Sequence, residues 1–256
     1  MKKIVLMVFA CLFFAAPCGC DANVSPQPNG SGSKPDDGIS TGQAEETAHA
    51  EDPYETIAGF YRDYIYFEGD RDEALERFLA DIQAELDIGG EASLYELESS
   101  MSELFGAAAG YAVCDINGDG SPELLVISED DYSIAAIYAK IGKNPVLVGA
   151  YWSRNRCVID KGGTIYVSGS SGADDSFSAS YWLCAENGDL ELIEMVGMES
   201  YDGQTLEELP EPRYYLIQNG AKTIISEKEA VDAWGGFPDV YPENPTRDAG
   251  LPYKKL

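Results

Sequence analysis

The sequence predicts an α+β domain: N-terminal helices, an antiparallel β-meander, then a short C-terminal helix. Two observations carry this. Apolar residues recur at three- and four-residue intervals as far as Gly110. Beyond it the period falls to two, with turn residues about every ten positions. The chain has 256 residues and is 45% hydrophobic, enough for one sizeable core. Whether the strands stay an open curved sheet, pack as a sandwich or close into a barrel is left open by the pattern.

Asp52-Pro53 supplies a cap and a first-position proline for a helix carrying Ile57, Phe60, Tyr61, Tyr64 and Ile65 on one face. Asp70 or Asp72 opens a second, with Leu75, Phe78, Leu79, Ile82 and Leu86 inward and Gly89-Gly90 as its stop. A third runs from Ser93 to Phe105 on Leu94, Leu97, Met101 and Leu104. Strands follow at Tyr111–Cys114, Glu123–Ser128, Ser133–Ala139, Val146–Trp152, Arg156–Asp160, Thr164–Ser168, Phe177–Ala185 and Leu190–Val196. A last hairpin joins Tyr214–Ile217 to Lys222–Ile225 through Asn219-Gly220, a pair suited to the positive φ of a tight turn. Ser226, Glu227 and Glu229 cap a short helix to Trp234, and the tail from Pro238 reads as irregular.

Charge excludes one large class of partner. Asp and Glu number 45 against 17 Lys and Arg, a net −28. That field repels phosphate backbones, so no nucleic acid is expected. His49 is the one histidine, and it falls in a polar segment, which argues against nucleophile–histidine catalysis.

The chain divides into residues 1–19, 20–52 and 53–256, the last comprising helices (53–110), meander (111–226) and a helix with tail (226–256). Lys2 and Lys3 precede an apolar run of 13 residues, Ile4 to Ala16. That is too short to span a bilayer and suits a secretory signal. With Gly19-Cys20 at its end, the segment resembles a bacterial lipoprotein signal, with Pro17 and Cys18 in place of the preferred large apolar and small residues. The resemblance implies lipidation of Cys20, attachment to the cell membrane and exposure on its extracytoplasmic face. The stretch Asp21 to Asp52 is rich in Ser, Gly, Pro, Asn and acids and reads as a flexible tether.

One motif carries chemistry. Asp115-Ile116-Asn117-Gly118-Asp119-Gly120-Ser121-Pro122-Glu123 places oxygen side chains at alternate positions around a sharp turn. Asp115, Asn117, Asp119, the Ser121 carbonyl and Glu123 form an all-oxygen donor set, which suits Ca²⁺ over a transition metal or the stricter Mg²⁺. The motif resembles the first half of an EF-hand loop, but Val126 stands at the twelfth position and strands flank it. It is more similar to the shorter calcium loops of FG-GAP-type β-repeats (D-x-D/N-x-D-G-x-x-D/E), where the ninth position closes the site. An acidic turn without an ion is the plainer alternative. The likeness to cell-surface lipoproteins with such a loop implies a location and an ion, and no activity.

Other features weigh less. Cys114, Cys157 and Cys184 are an odd set. Cys157 and Cys184 fall on strands two spacings apart, roughly 9–10 Å, beyond disulfide reach, so free buried thiols are expected. Ser168–Gly172 reads as a mobile hairpin loop. Glu129, Asp130, Asp131, Asp174 and Asp175 read as solvated turns. Tyr151, Trp152, Tyr181 and Trp182 read as aromatics on both faces of neighbouring strands, at least half of them core, with a sugar-stacking platform as the alternative for those on the outer face. The sequence therefore favours a calcium-stabilised binding protein with an envelope protein or glycan as partner. A secreted carboxylate-dependent hydrolase of glycan or peptide is the alternative.

Overall fold

Residues 52–86, 91–172, 175–199, 212–238 and 244–256 are described by the computed structural model. The signal segment, Cys20, the tether to residue 51, the Gly89-Gly90 stop and Asp174 lie outside the described residues.

Local signals set the helices. In α1 (Pro53–Ile65) the Asp52 carboxylate accepts the Tyr54 N–H, with Pro53 in the first turn. In α2 (Arg71–Glu85) Asp70 is the cap, accepting the N–H groups of Asp72 and Glu73. α3 spans Glu91–Leu104. The predicted inward residues Ile57, Tyr61, Tyr64, Phe78, Ile82, Leu97 and Met101 are all buried in one cluster.

The rest is an α+β fold's antiparallel sheet of 11 strands, open rather than closed. In chain order these are β1 (Ala109–Cys114), β2 (Glu123–Ser128), β3 (Ile134–Ile141), β4 (Asn144–Ala150), β5 (Asn155–Ile159), β6 (Ile165–Gly172), β7 (Asp175–Leu183), β8 (Leu190–Glu199), β9 (Arg213–Gln218), β10 (Ala221–Ile225) and β11 (Lys254–Lys255). α4 (Glu227–Trp234) carries the predicted Ser226–Glu229 capping box. The Asn219-Gly220 turn has φ +51 and +73, as a twisted hairpin requires.

The sheet forks at β3. Its start pairs with β5 at Ile134–Cys157, and the remainder pairs with β4. Strands β1–β3 are consequently buried on both faces. Leu124, Val126 and Tyr138 pack under α1–α3. Leu125, Ile127 and Ile137 face the other way, against Cys157, Ile159, Ile165, Val167 and Leu183 from β5–β7. The unbroken apolar run Leu124–Ile127 is the sequence record of this two-sided burial. Buried hydroxyls in the helix layer find partners: Tyr61 and Tyr138 share a bond of 2.7 Å, and Tyr64 donates to the Met101 carbonyl at 2.8 Å.

Four sequence readings are corrected. Ser168–Gly172 belongs to β6, paired with β7 through Ser170–Ser176 and Gly172–Asp175. A Cβ on Gly169 would sit 2.5 Å from the Phe177 ring, so that glycine makes room for a cross-strand aromatic and does not mark a turn. Second, β4 ends at Ala150, so Tyr151 and Trp152 leave the strand, and β4 is not a neighbour of β7. Tyr151 is core, and Trp152 meets Tyr95 edge-on at 6.2 Å. Third, the tail is not irregular: Asn244 caps α5 (Pro245–Asp248), and β11 pairs with β1. Fourth, the thiols of Cys114, Cys157 and Cys184 are free, but only Cys157 is fully buried.

Candidate functional site

The Asp115–Glu123 motif is the connection between β1 and β2. Cys114 and Glu123 are register partners, so paired strands close its base. Asp115 organises the loop. Its Oδ1 accepts the N–H groups of Gly118 (2.7 Å) and Asp119 (3.2 Å), and its Oδ2 that of Gly120 (2.8 Å). Asn117 Oδ1 accepts the Asp119 N–H at 3.1 Å, and Asp119 Oδ1 the Ser121 N–H at 2.6 Å. Gly118 and Gly120 take φ of +77° and +87°. The alternating oxygens thus wind the chain about the Asp115 carboxylate, as Asx-type turns do.

Glu123 differs from the exposed Asp115 and Asp119. It is 2% exposed, and its Oε2 accepts the Ile116 N–H at 2.9 Å. Among the described residues no Lys or Arg forms an ion pair with it. Burial pushes its carboxyl up to about 7, against the Ile116 N–H and with help from nearby Asp119 and Asp115. Beside it the Cys114 thiol is pushed up to about 11 by burial, then by Glu123 and Asp115. It is therefore a thiol at neutral pH, not a reactive thiolate.

Two residues hold the loop in place through contacts the sequence did not reveal, Gly163 having been legible only as part of the Lys161-Gly162-Gly163 turn. Tyr54 of α1 donates its hydroxyl to the Pro122 carbonyl at 3.0 Å, 68 positions away. Gly163, in the β5–β6 turn, lies so close that a Cβ there would fall 1.7 Å from the Ile116 carbonyl oxygen. No periodicity marks either one, because both act through contacts distant in sequence. Asp160 fixes the same turn by accepting the N–H groups of Gly162 (2.8 Å) and Thr164 (3.0 Å) and the Tyr166 hydroxyl (3.1 Å).

Between this turn, the loop and the Ala249–Pro252 segment lies a cleft of about 350 Å³, with Trp182 in its wall. Of the predicted donors, Asp115, Asn117 and Asp119 are brought together at the loop's turn, where Asn117 Nδ2 reaches Asp119 Oδ2 at 3.3 Å. Ser121 joins them through its N–H, while Glu123 stands at the base. Among the described residues, no three His, Cys, Asp or Glu side chains are gathered closely enough to enclose an ion as they stand. The carboxylates are turned to backbone N–H groups instead. Among the described residues, too, no helix is long and apolar enough to cross a membrane.

Of the acids read as solvated turns, on which a carboxylate-dependent hydrolase could draw, Asp175 instead opens β7, and two others are engaged with neighbours. Glu129 accepts the Tyr253 hydroxyl at 2.8 Å and pairs with Lys255 at 3.2 Å, and Asp131 accepts the Ser133 N–H and hydroxyl.

No protein-family model matches this chain, and no curated protein matches it. Among solved structures, a Xanthomonas type IV secretion system related protein aligns with 45% of this chain at 19% identity and a TM-score of 0.25. The aligned part covers 57% of that protein's length, and a likeness at this level carries no argument.

Proposed function

We propose that this chain is a lipid-anchored, extracytoplasmic calcium-binding protein, with a structural ion in the β1–β2 loop and a binding role at the cell envelope. The observation that carries the ion is Glu123: a buried carboxyl that accepts the Ile116 N–H and, among the described residues, pairs with no cation, at the base of a loop whose alternate side chains Asp115, Asn117 and Asp119 carry oxygens. A buried carboxylate in that position is costly unless a cation joins it. The donor set fits Ca²⁺: Asp115, Asn117, Asp119 and Glu123 would hold it through side-chain oxygens, with the Ser121 carbonyl completing the set. The ion supplies charge balance, tying the loop to β2. Asp115 and Asp160, the carboxylates lining the cleft, are both engaged with their own turns, which favours binding over hydrolysis.

Extracellular calcium is plentiful, so a Kd of about 10⁻⁴–10⁻³ M suffices. At ten to a hundred times that value, binding stabilises the fold by roughly 1.4–2.7 kcal/mol, raising Tm by about 3–10 °C. Asp119→Ala should abolish the rise in melts run with EDTA and with calcium, and an unchanged rise in the variant would contradict the assignment. The location is tested separately. Cys20→Ser should release the protein into the medium or leave it unprocessed, since two acyl chains on Cys20 provide the anchor. A processed variant that still fractionates with membrane would refute the anchor.

A further inference from the structure

We propose that the cleft beside the loop is a saccharide site, in which a neutral sugar ring stacks on Trp182 and its hydroxyls bond to polar groups of the surrounding turns. The proposal rests on the envelope-facing binding role argued above and does not require the ion to be the contact.

Size and preorganisation come first. About 350 Å³ lies within the range of small-molecule sites. The walls are fixed before any ligand arrives. Gly163 abuts the Ile116 carbonyl, and Asp160 locks its own turn. The Ala249–Pro252 wall is pinned on both sides. Before it, Thr246 Oγ1 accepts the buried Ile159 N–H at 2.9 Å, and after it β11 pairs with β1 while Tyr253 bonds Glu129. A ligand therefore pays little ordering entropy.

The lining chemistry selects the class. Seven large apolar residues stand exposed among those described, and of these only Trp182, at 37%, lines this cleft. An indole offers a broad apolar face with a polar edge, matching the C–H face and hydroxyl rim of a sugar. Around it stand a donor and an acceptor outside the calcium set: the Lys161 ammonium, and Asp160, a carboxylate that its turn and Tyr166 leave with room for a further bond. Lys161 forms no ion pair within the described residues and offsets part of the acidic lining. The chain's net −28 repels an anionic ligand. A peptide is disfavoured for a different reason. The cleft is walled mainly by turns, Asp115–Gly118, Asp160–Gly163 and Ala249–Pro252, and not by a long strand edge that an extended backbone could join.

The test titrates chitotriose, cellotriose, maltotriose and mannotriose into the full chain in detergent with calcium, followed by saturation-transfer NMR and calorimetry. At least one should bind with a Kd of about 10⁻⁴–10⁻³ M. Trp182→Ala should weaken it at least about tenfold. Trp182→Phe should retain part of the affinity, and Ile224→Ala, on β10 at the far edge of the sheet, all of it. Melts of the same samples with and without calcium report the loop independently. A calcium-dependent melt with no trisaccharide bound, or with equal binding by Trp182→Ala, overturns the saccharide site and leaves the ion standing. Trp182-dependent capture of peptides alone also overturns it. Trp182-dependent binding without a calcium response upholds the cleft while removing the ion.

Discussion

Gly163→Ala should cost more than about 3 kcal/mol, putting it among the severe single substitutions, and lower Tm by about 6–12 °C. Two penalties combine there. The residue sits at φ +81, where an L side chain costs about 1–2 kcal/mol. The new Cβ would also fall 1.7 Å from a backbone oxygen, which a rotamer change cannot relieve. Gly118→Ala and Gly120→Ala share the positive φ but have nothing within 4 Å, so they should incur the conformational penalty alone. Denaturant melts of the three variants separate the effects. Equal losses would mean that the β5–β6 turn does not press on the Ile116 carbonyl.

In calcium-free buffer the protein should lose stability as pH rises from about 5 to about 8. The sign follows from Glu123, whose carboxyl in the fold is near 7 against an ordinary value of 4.5. Between those values the native state holds a proton that the unfolded chain has released. The stabilisation is complete below about 4.5 and is lost as pH passes through 7. The size is about 2–3 kcal/mol, or 5–10 °C in Tm. Asp52, Glu129 and Glu229 are shifted downward by hydrogen bonds and act at lower pH. Glu96, raised by burial, acts in the same sense as Glu123, so the variant Glu123→Gln isolates the loop. It should flatten most of the decline and abolish the calcium response. Calcium should flatten the decline in the wild type, because the ion stabilises the charged carboxylate. Scanning calorimetry at four pH values, with EDTA and with calcium, measures this. Parallel profiles for wild type and Glu123→Gln would show that the buried carboxyl does not titrate in that window.

What the sequence made legible was local. Asp52-Pro53, the stripe from Ile57 to Ile65, the four apolar residues Leu124–Ile127 and the Asn219-Gly220 turn each encode their structure within a few positions. Asn244-Pro245 repeats the Asp52-Pro53 signature at α5, yet one turn of helix carries too little apolar periodicity to stand out among prolines. The fork at β3 was hidden because β4 and β5 both read as ordinary meander strands. Only the single Ile134–Cys157 pairing separates them. At the candidate site the alternating oxygens were plain. Two contacts were not: Tyr54 beneath Pro122 and Gly163 against Ile116 join chain segments far apart in sequence. Trp182 was legible as a stacking aromatic, but its place in the cleft wall was not. The burial of Glu123 was hidden too, since its position among the acids of the loop gives no local sign of it.

The most direct measurement of the central claim is a calcium titration of the full chain by isothermal calorimetry at about pH 7.5, where Glu123 is poised to ionise. One ion per chain is predicted, with a Kd of about 10⁻³ M or tighter. Binding should release protons, so the observed heat should change with the ionisation enthalpy of the buffer. Asp119→Ala should remove the binding. No binding by the wild type up to about 10 mM calcium, well beyond the range of extracellular sites, would contradict the account and leave the loop an acidic turn.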